Sequence, residues 1–171
     1  MRHILTRHYY DGKKFKPSNP PLAQIHHTGK GHWMLSYTSE DCLAVITIDS
    51  MRSTRESISH SLQIQLATVY GHNSSMLKIT MPFVQQQRNS VDYGVMCVAF
   101  LVEFCERGHE GVISANYDLS QVRDHLLYCL GTGKLTPFPQ IQHRLRANVR
   151  SKDVMLRLHC ICNMPEVYTA T

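Results

Sequence analysis

With 171 residues and a mass of 19.6 kDa, the chain has the length of one domain and enough material to bury a core without staples. A composition 43% hydrophobic and 18% charged is too apolar for general disorder. The longest apolar run, the eight residues Val95 to Val102, falls far short of the about 20 needed to span a bilayer. The opening MRHILTRHYY carries no apolar core of signal-peptide type, so secretion and membrane insertion are not expected.

The net charge of +5 is unevenly spread. Residues 1–30 carry six basic side chains and one acidic, residues 31–136 seven basic and ten acidic, and residues 137–159 five basic and one acidic. Basic ends can meet nucleic acid or an acidic partner, but clusters this short read first as solvated flanks, so no nucleic-acid partner is expected of this chain alone. Of the six cysteines, Cys42, Cys97, Cys105 and Cys129 sit within apolar patterns and read as small hydrophobes; disulfides are not expected without export. The sequon Asn73-Ser74-Ser75 is then idle.

Pro17, Pro20 and Pro21 punctuate a basic opening over residues 1–21. Leu22 to His27 reads as a strand, Gly29 and Gly31 as a turn around Lys30, Trp33 to Tyr37 as a second strand and Leu43 to Ile48 as a third. Ser53 and Glu56 have capping-box spacing, and Ile58, Leu62, Leu66 and Val69 then recur on one helical face until Gly71. Met76 to Met81 reads as a strand. Asp92 to Arg107 is apolar on nearly all sides and predicts a buried helix ended by Gly108. A last helix is expected from Asp118, with Val122, Leu126, Leu127 and Leu130 on one face and Gly131 as its stop. Pro137 and Pro139 open a segment with little periodicity. The sum predicts an α+β domain over residues 22–140, followed by a basic linker over 141–171.

Three local features stand in a suggestive order: Gly31-His32-Trp33 entering a strand, Ile48-Asp49-Ser50 leaving the next, and Gln85 to Gly94 running into the buried helix. Paired strands can set His32 beside Asp49, and a carboxylate beside an imidazole fixes its tautomer and supports its cation, as a general base requires. A helix start favours an anionic nucleophile, and a preceding Gln amide can face a developing oxyanion. Taken singly, each residue has a plainer role. His32 can be a strand histidine, Asp49 and Asp92 can be turn and helix caps, Gln85 to Gln87 a solvated loop and Tyr93 a core aromatic.

Together, His32-Trp33, Asp49, Gln87 and Asp92-Tyr93-Gly94 resemble the ubiquitin-like-protein protease family, the SUMO-specific and adenoviral-type cysteine peptidases, and are most similar to copies found in transposon-related animal genes. The resemblance covers about residues 22–140 and continues through YDLSQVRDHLLYCL and TPFP. It implies a small mixed sheet in the papain-like fold, in circularly permuted order. It implies His32 as general base, Asp49 as its orienting partner, Gln87 as oxyanion donor (Gln86 if the register slips by one) and Trp33 as a wall of the slot for a glycine-ended tail. The reaction implied is hydrolysis of the peptide or isopeptide bond after that tail through an acyl-enzyme, with no cofactor. The substrate would be a ubiquitin-like or other glycine-tailed protein, in the nucleus or cytoplasm, and the enzyme a monomer.

The departure is at residue 93, where the family places Cys and this chain has Tyr. A phenol ordinarily ionises at about 10 against about 8.5 for a thiol, and it is bulkier, so it is expected to block the tail's path instead of attacking it. Cys97 lies one helical turn deeper and is not expected to replace the missing thiol. The expectation is an inactive copy; the alternatives are a module that binds a ubiquitin-like partner without cleaving it, or a fragment of a mobile-element or chromatin protein. Near the end, Cys160-Ile161-Cys162 resembles the opening of a plant-homeodomain finger, but the residues after it supply no further Cys or His, so no metal site is expected.

Overall fold

The computed structural model describes residues 22–28, 31–51, 58–71, 76–141 and 151–157. In chain order the elements are β1 (Ala23–His27), β2 (Trp33–Thr38), β3 (Val45–Ile48), α1 (His60–Tyr70), β4 (Met76–Pro82), α2 (Tyr93–Ser114), α3 (Val122–Thr132) and β5 (Ser151–Arg157). The strands form one mixed sheet in sequence order, antiparallel except where β3 runs parallel to β4. α1 lies in the connection between those two, the long crossover that parallel neighbours require. The α+β class read from the sequence is the class observed.

Alternation in the central strands explains the layering. In β2, Leu35 and Tyr37 meet Phe100, Phe104 and Val112 of α2, while Met34 joins Val45, Ile79 and Met81 in a second cluster against Leu62 and Leu66 of α1. β3 is covered on both faces, and every one of its residues is buried. Tyr37 stacks on Phe104 with ring centroids 4.2 Å apart.

Several boundaries differ from the sequence reading. α1 starts later than a cap at Ser53 would place it: Ser59 is the N-cap, and its side chain accepts from Leu62 N at 3.3 Å. Ser53 and Glu56 lie outside the described residues, as do the basic opening, Lys30, the sequon and the Cys160–Cys162 pair. Gly108 does break the helical backbone (φ 69°, ψ −156°), but the helix resumes and runs to Ser114. Asp118 forms a turn with Ser120 instead of opening α3, which begins at Val122 and ends beyond Gly131, at a left-handed Gly133. On α3, Val122 and Cys129 are buried and Leu126 packs on the core, whereas Leu127 and Leu130 are exposed. Residues 151–157, read as linker, form β5 on β4, with Val154 and Leu156 against the α1-side core.

Candidate active site

The tip of the β1–β2 hairpin, the end of β3 and the head of α2 converge. Gly31 sits at φ +70°, a left-handed conformation that costs an L side chain energy, and Thr28 N donates to His32 O at 2.8 Å to close the turn. His32 is thereby delivered just before β2. Asp49 follows β3 immediately. Continued past its last pair, Leu35↔Ile48, the β2–β3 register makes Asp49 a diagonal neighbour of His32.

His32 Nε2 donates to Asp49 Oδ1 at 2.9 Å. A carboxylate only accepts, so the proton of the neutral ring belongs on Nε2 and Nδ1 is left with its lone pair. Nδ1 is buried and has no hydrogen-bond partner. Asp49 is itself fixed: Met51 N donates to the same Oδ1 at 2.8 Å, and Gln86 Nε2 donates to its carbonyl at 3.1 Å. The arrangement provides an oriented base atom backed by a buried carboxylate, the half of a nucleophile–His–Asp unit that takes a proton.

Tyr93 is the first residue of α2, and its ring meets the His32 ring edge-on with centroids 5.4 Å apart. A Cβ at Gly31 would lie 4.0 Å from the Tyr93 hydroxyl, so the phenol reaches across to the hairpin turn. Asp92 occupies the N-cap position without a capping bond; its carboxylate instead accepts from Asn89 Nδ2 and pairs with Arg123 of α3, each at 2.5 Å. That ion pair ties the head of α2 to α3. Cys97, one turn farther along α2, is buried; burial pushes its thiol up, and the Asp49 carboxylate adds to the effect.

Gln87 is held at the same place but with its amide occupied. Its backbone N donates to Ser50 O at 2.8 Å, and its Oε1 accepts from Ser50 Oγ at 2.7 Å. Its Nε2 faces Asn89 O at 2.5 Å and Met51 Sδ at 3.8 Å. Gln86 donates to Asp49 O and Val84 O, and the buried Gln85 bridges the backbone of Tyr117. The polar triplet is thus a lock between the loop and the ends of β3 and α2, not a solvated loop. In this state no proton of the Gln86 or Gln87 amide is left over for an oxyanion.

Trp33 is 39% exposed beside this convergence, with Cδ1 3.9 Å from where a Cβ at Gly94 would stand. The structure therefore brings His32, Asp49, Tyr93, Trp33 and Gln87 to one end of the sheet. The sequence assigned no role to Ser50, Arg123 and His27, which contact Gln87, Asp92 and Trp33 in turn. Of these only His27 left a signal, since it falls opposite Trp33 once the hairpin register is known. Among the described residues no cluster of three or more His, Cys, Asp or Glu side chains could hold a metal ion, and no helix is long and apolar enough to cross a membrane. Comparison with protein-family models, curated proteins and solved structures finds no match to this chain.

Proposed function

We propose that the chain is a ubiquitin-like-protease-type domain, papain-like in circularly permuted order, that holds the tail of a ubiquitin-like or other glycine-tailed protein and no longer cleaves it. The observation that carries this reading is the His32–Asp49 couple at 2.9 Å, set against a tyrosine at the head of the buried helix where the resembled family has its thiol. With Nε2 committed to Asp49, the His32 Nδ1 lone pair is the atom able to take a proton. Proteolysis fails because the phenol fills the space between the hairpin turn and α2, and because the next thiol along, Cys97, is buried and kept protonated. Binding through the Trp33 side of the site does not need the missing sulfur. A nuclear or cytoplasmic protein partner belongs to the same proposal.

The decisive experiment is Tyr93→Cys in a Cys97→Ser background, treated with a thiol-reactive probe that ends in glycine. His32 Nδ1 then takes the Cys proton, the thiolate attacks the probe, and labelling maps to residue 93. Adding His32→Ala should abolish the labelling. A folded variant that is not labelled, or is labelled equally without His32, overturns the reading.

A further inference from the structure

His27 and Trp33 are the last register pair of the β1–β2 hairpin, directly opposite each other across the strands. Their rings meet at 4.8 Å between centroids with a 52° tilt. Trp33 also lies near the first turn of α2, where a Cβ added at Gly94 would stand 3.9 Å from Cδ1. The indole is thus exposed, with the His27 imidazole as its ring neighbour. His27 is in turn held by its backbone: Gln65 Nε2 of α1 donates to His27 O at 2.7 Å. The same Gln65 accepts from His26 Nδ1 through its Oε1, so α1 grips both residues at the end of β1. An exposed tryptophan without such a brace would sample several rotamers, and ordering it would fall on the binding step.

We propose that His27 is a positioning residue: its ring holds the Trp33 indole in the orientation in which it walls the tail slot. This rests on the function proposed above and adds to it the residue that sets the wall. Cross-strand aromatic pairs of this kind contribute modestly, so loss of the His27 ring should weaken tail binding about two- to fivefold. His27 is exposed and lies outside the two buried clusters, so the fold does not depend on it.

The chain has a single tryptophan, so its fluorescence reports on Trp33 alone. The test compares wild type, His27→Ala and His27→Phe for acrylamide quenching and anisotropy of that fluorescence, and for affinity toward a synthetic peptide ending in two glycines. His27→Ala should raise quenching, lower anisotropy and weaken binding, and His27→Phe, which restores a ring, should recover all three. Unchanged quenching and anisotropy in His27→Ala overturns the proposal, as does a loss that Phe fails to recover. If wild type does not bind the peptide while the spectroscopic difference persists, the proposed function falls and the His27 brace stands. If wild type binds but His27→Ala binds equally well, the brace does not serve the slot and the proposal falls alone.

Discussion

The buried histidine of β1 predicts a measurable acid sensitivity. His26 is 2% exposed, and its partners fix its tautomer. Gln65 Oε1 only accepts, so Nδ1 donates to it at 3.1 Å; Nε2 then accepts from Ser36 Oγ at 2.6 Å, and that oxygen accepts from the Tyr70 hydroxyl at 2.7 Å. The chain Tyr70, Ser36, His26, Gln65 pins α1 to β1 and β2 and is satisfied with a neutral ring. Burial holds His26 down from 6.5 to about 4, opposed by the Gln65 bond. The unfolded chain takes up the proton at about 6.5, so between that pH and about 4 it binds more protons than the folded protein. The stability contributed by neutral His26 is therefore complete above about pH 6.5 and is lost progressively as pH falls, levelling below about 4. At about 1.4 kcal/mol per pH unit, about 2–3 kcal/mol disappears by about pH 4.5. That is a large share of the about 5–15 kcal/mol typical of a domain. The assay is urea unfolding of wild type and His26→Gln at about pH 7.5 and about pH 4.5. Carboxylates and exposed histidines contribute equally to both proteins and cancel in the difference. The drop in stability between the two pH values should be smaller in His26→Gln by about 2–3 kcal/mol. Equal drops would refute the reasoning.

Other outcomes follow from single contacts. Gly111→Ala would place a Cβ 2.6 Å from Arg107 Cβ and 2.9 Å from the buried Glu103 carboxylate, and should destabilise by about 1–3 kcal/mol in chemical denaturation despite alanine's better helix propensity. Arg123→Ala leaves the Asp92 carboxylate with Asn89 as its remaining side-chain partner; a loss of about 1–2 kcal/mol is expected, with faster amide exchange in the first turn of α2. In native alkylation followed by peptide mapping, exposed Cys42 should react quickly, while buried Cys97 and Cys129 should react only after unfolding.

Where local chemistry decides an element, the sequence carried it. β1 to β4 each begin or end beside a turn residue or a change in alternation, and their observed bounds lie within about two residues of the reading. β5 escaped because its alternation is masked by charge: Val154 and Leu156 face the core, but Lys152 and Asp153 lead the segment, as suits an edge strand. The misjudged face of α3 has a different cause. Val122, Leu126 and Cys129 already make a stripe, and the extra leucines at 127 and 130 shift the apolar average away from it, so periodicity could not choose between the two. Gly108 read as a stop because a left-handed residue usually ends a helix, yet Val112 beyond it is fully buried in the same core as Phe104, and that burial draws the chain back into helix.

The candidate site divides along the same line. The His32–Asp49 couple follows from two strands, a turn glycine and a register, all of which leave marks in the sequence. The lock around it does not, because Ser50–Gln87, Gln86–Asp49 and Arg123–Asp92 join residues far apart in the chain through side chains common on any surface. On the proposed function, that lock bears on why the His32–Asp49 couple would persist without catalysis. The Asp49 carboxylate also serves the turn by accepting from Met51 N, so replacing it disturbs that turn whether or not a bond is ever cleaved. Residue 93 carries no comparable duty: at the first position of α2 its backbone amide is one the helix leaves unpaired, and its half-exposed side chain accepts a large ring. On the proposed function, position 93 is therefore less constrained than Asp49. On that same reading a thiol there would be lost before the His32–Asp49 couple, whose geometry persists at 2.9 Å.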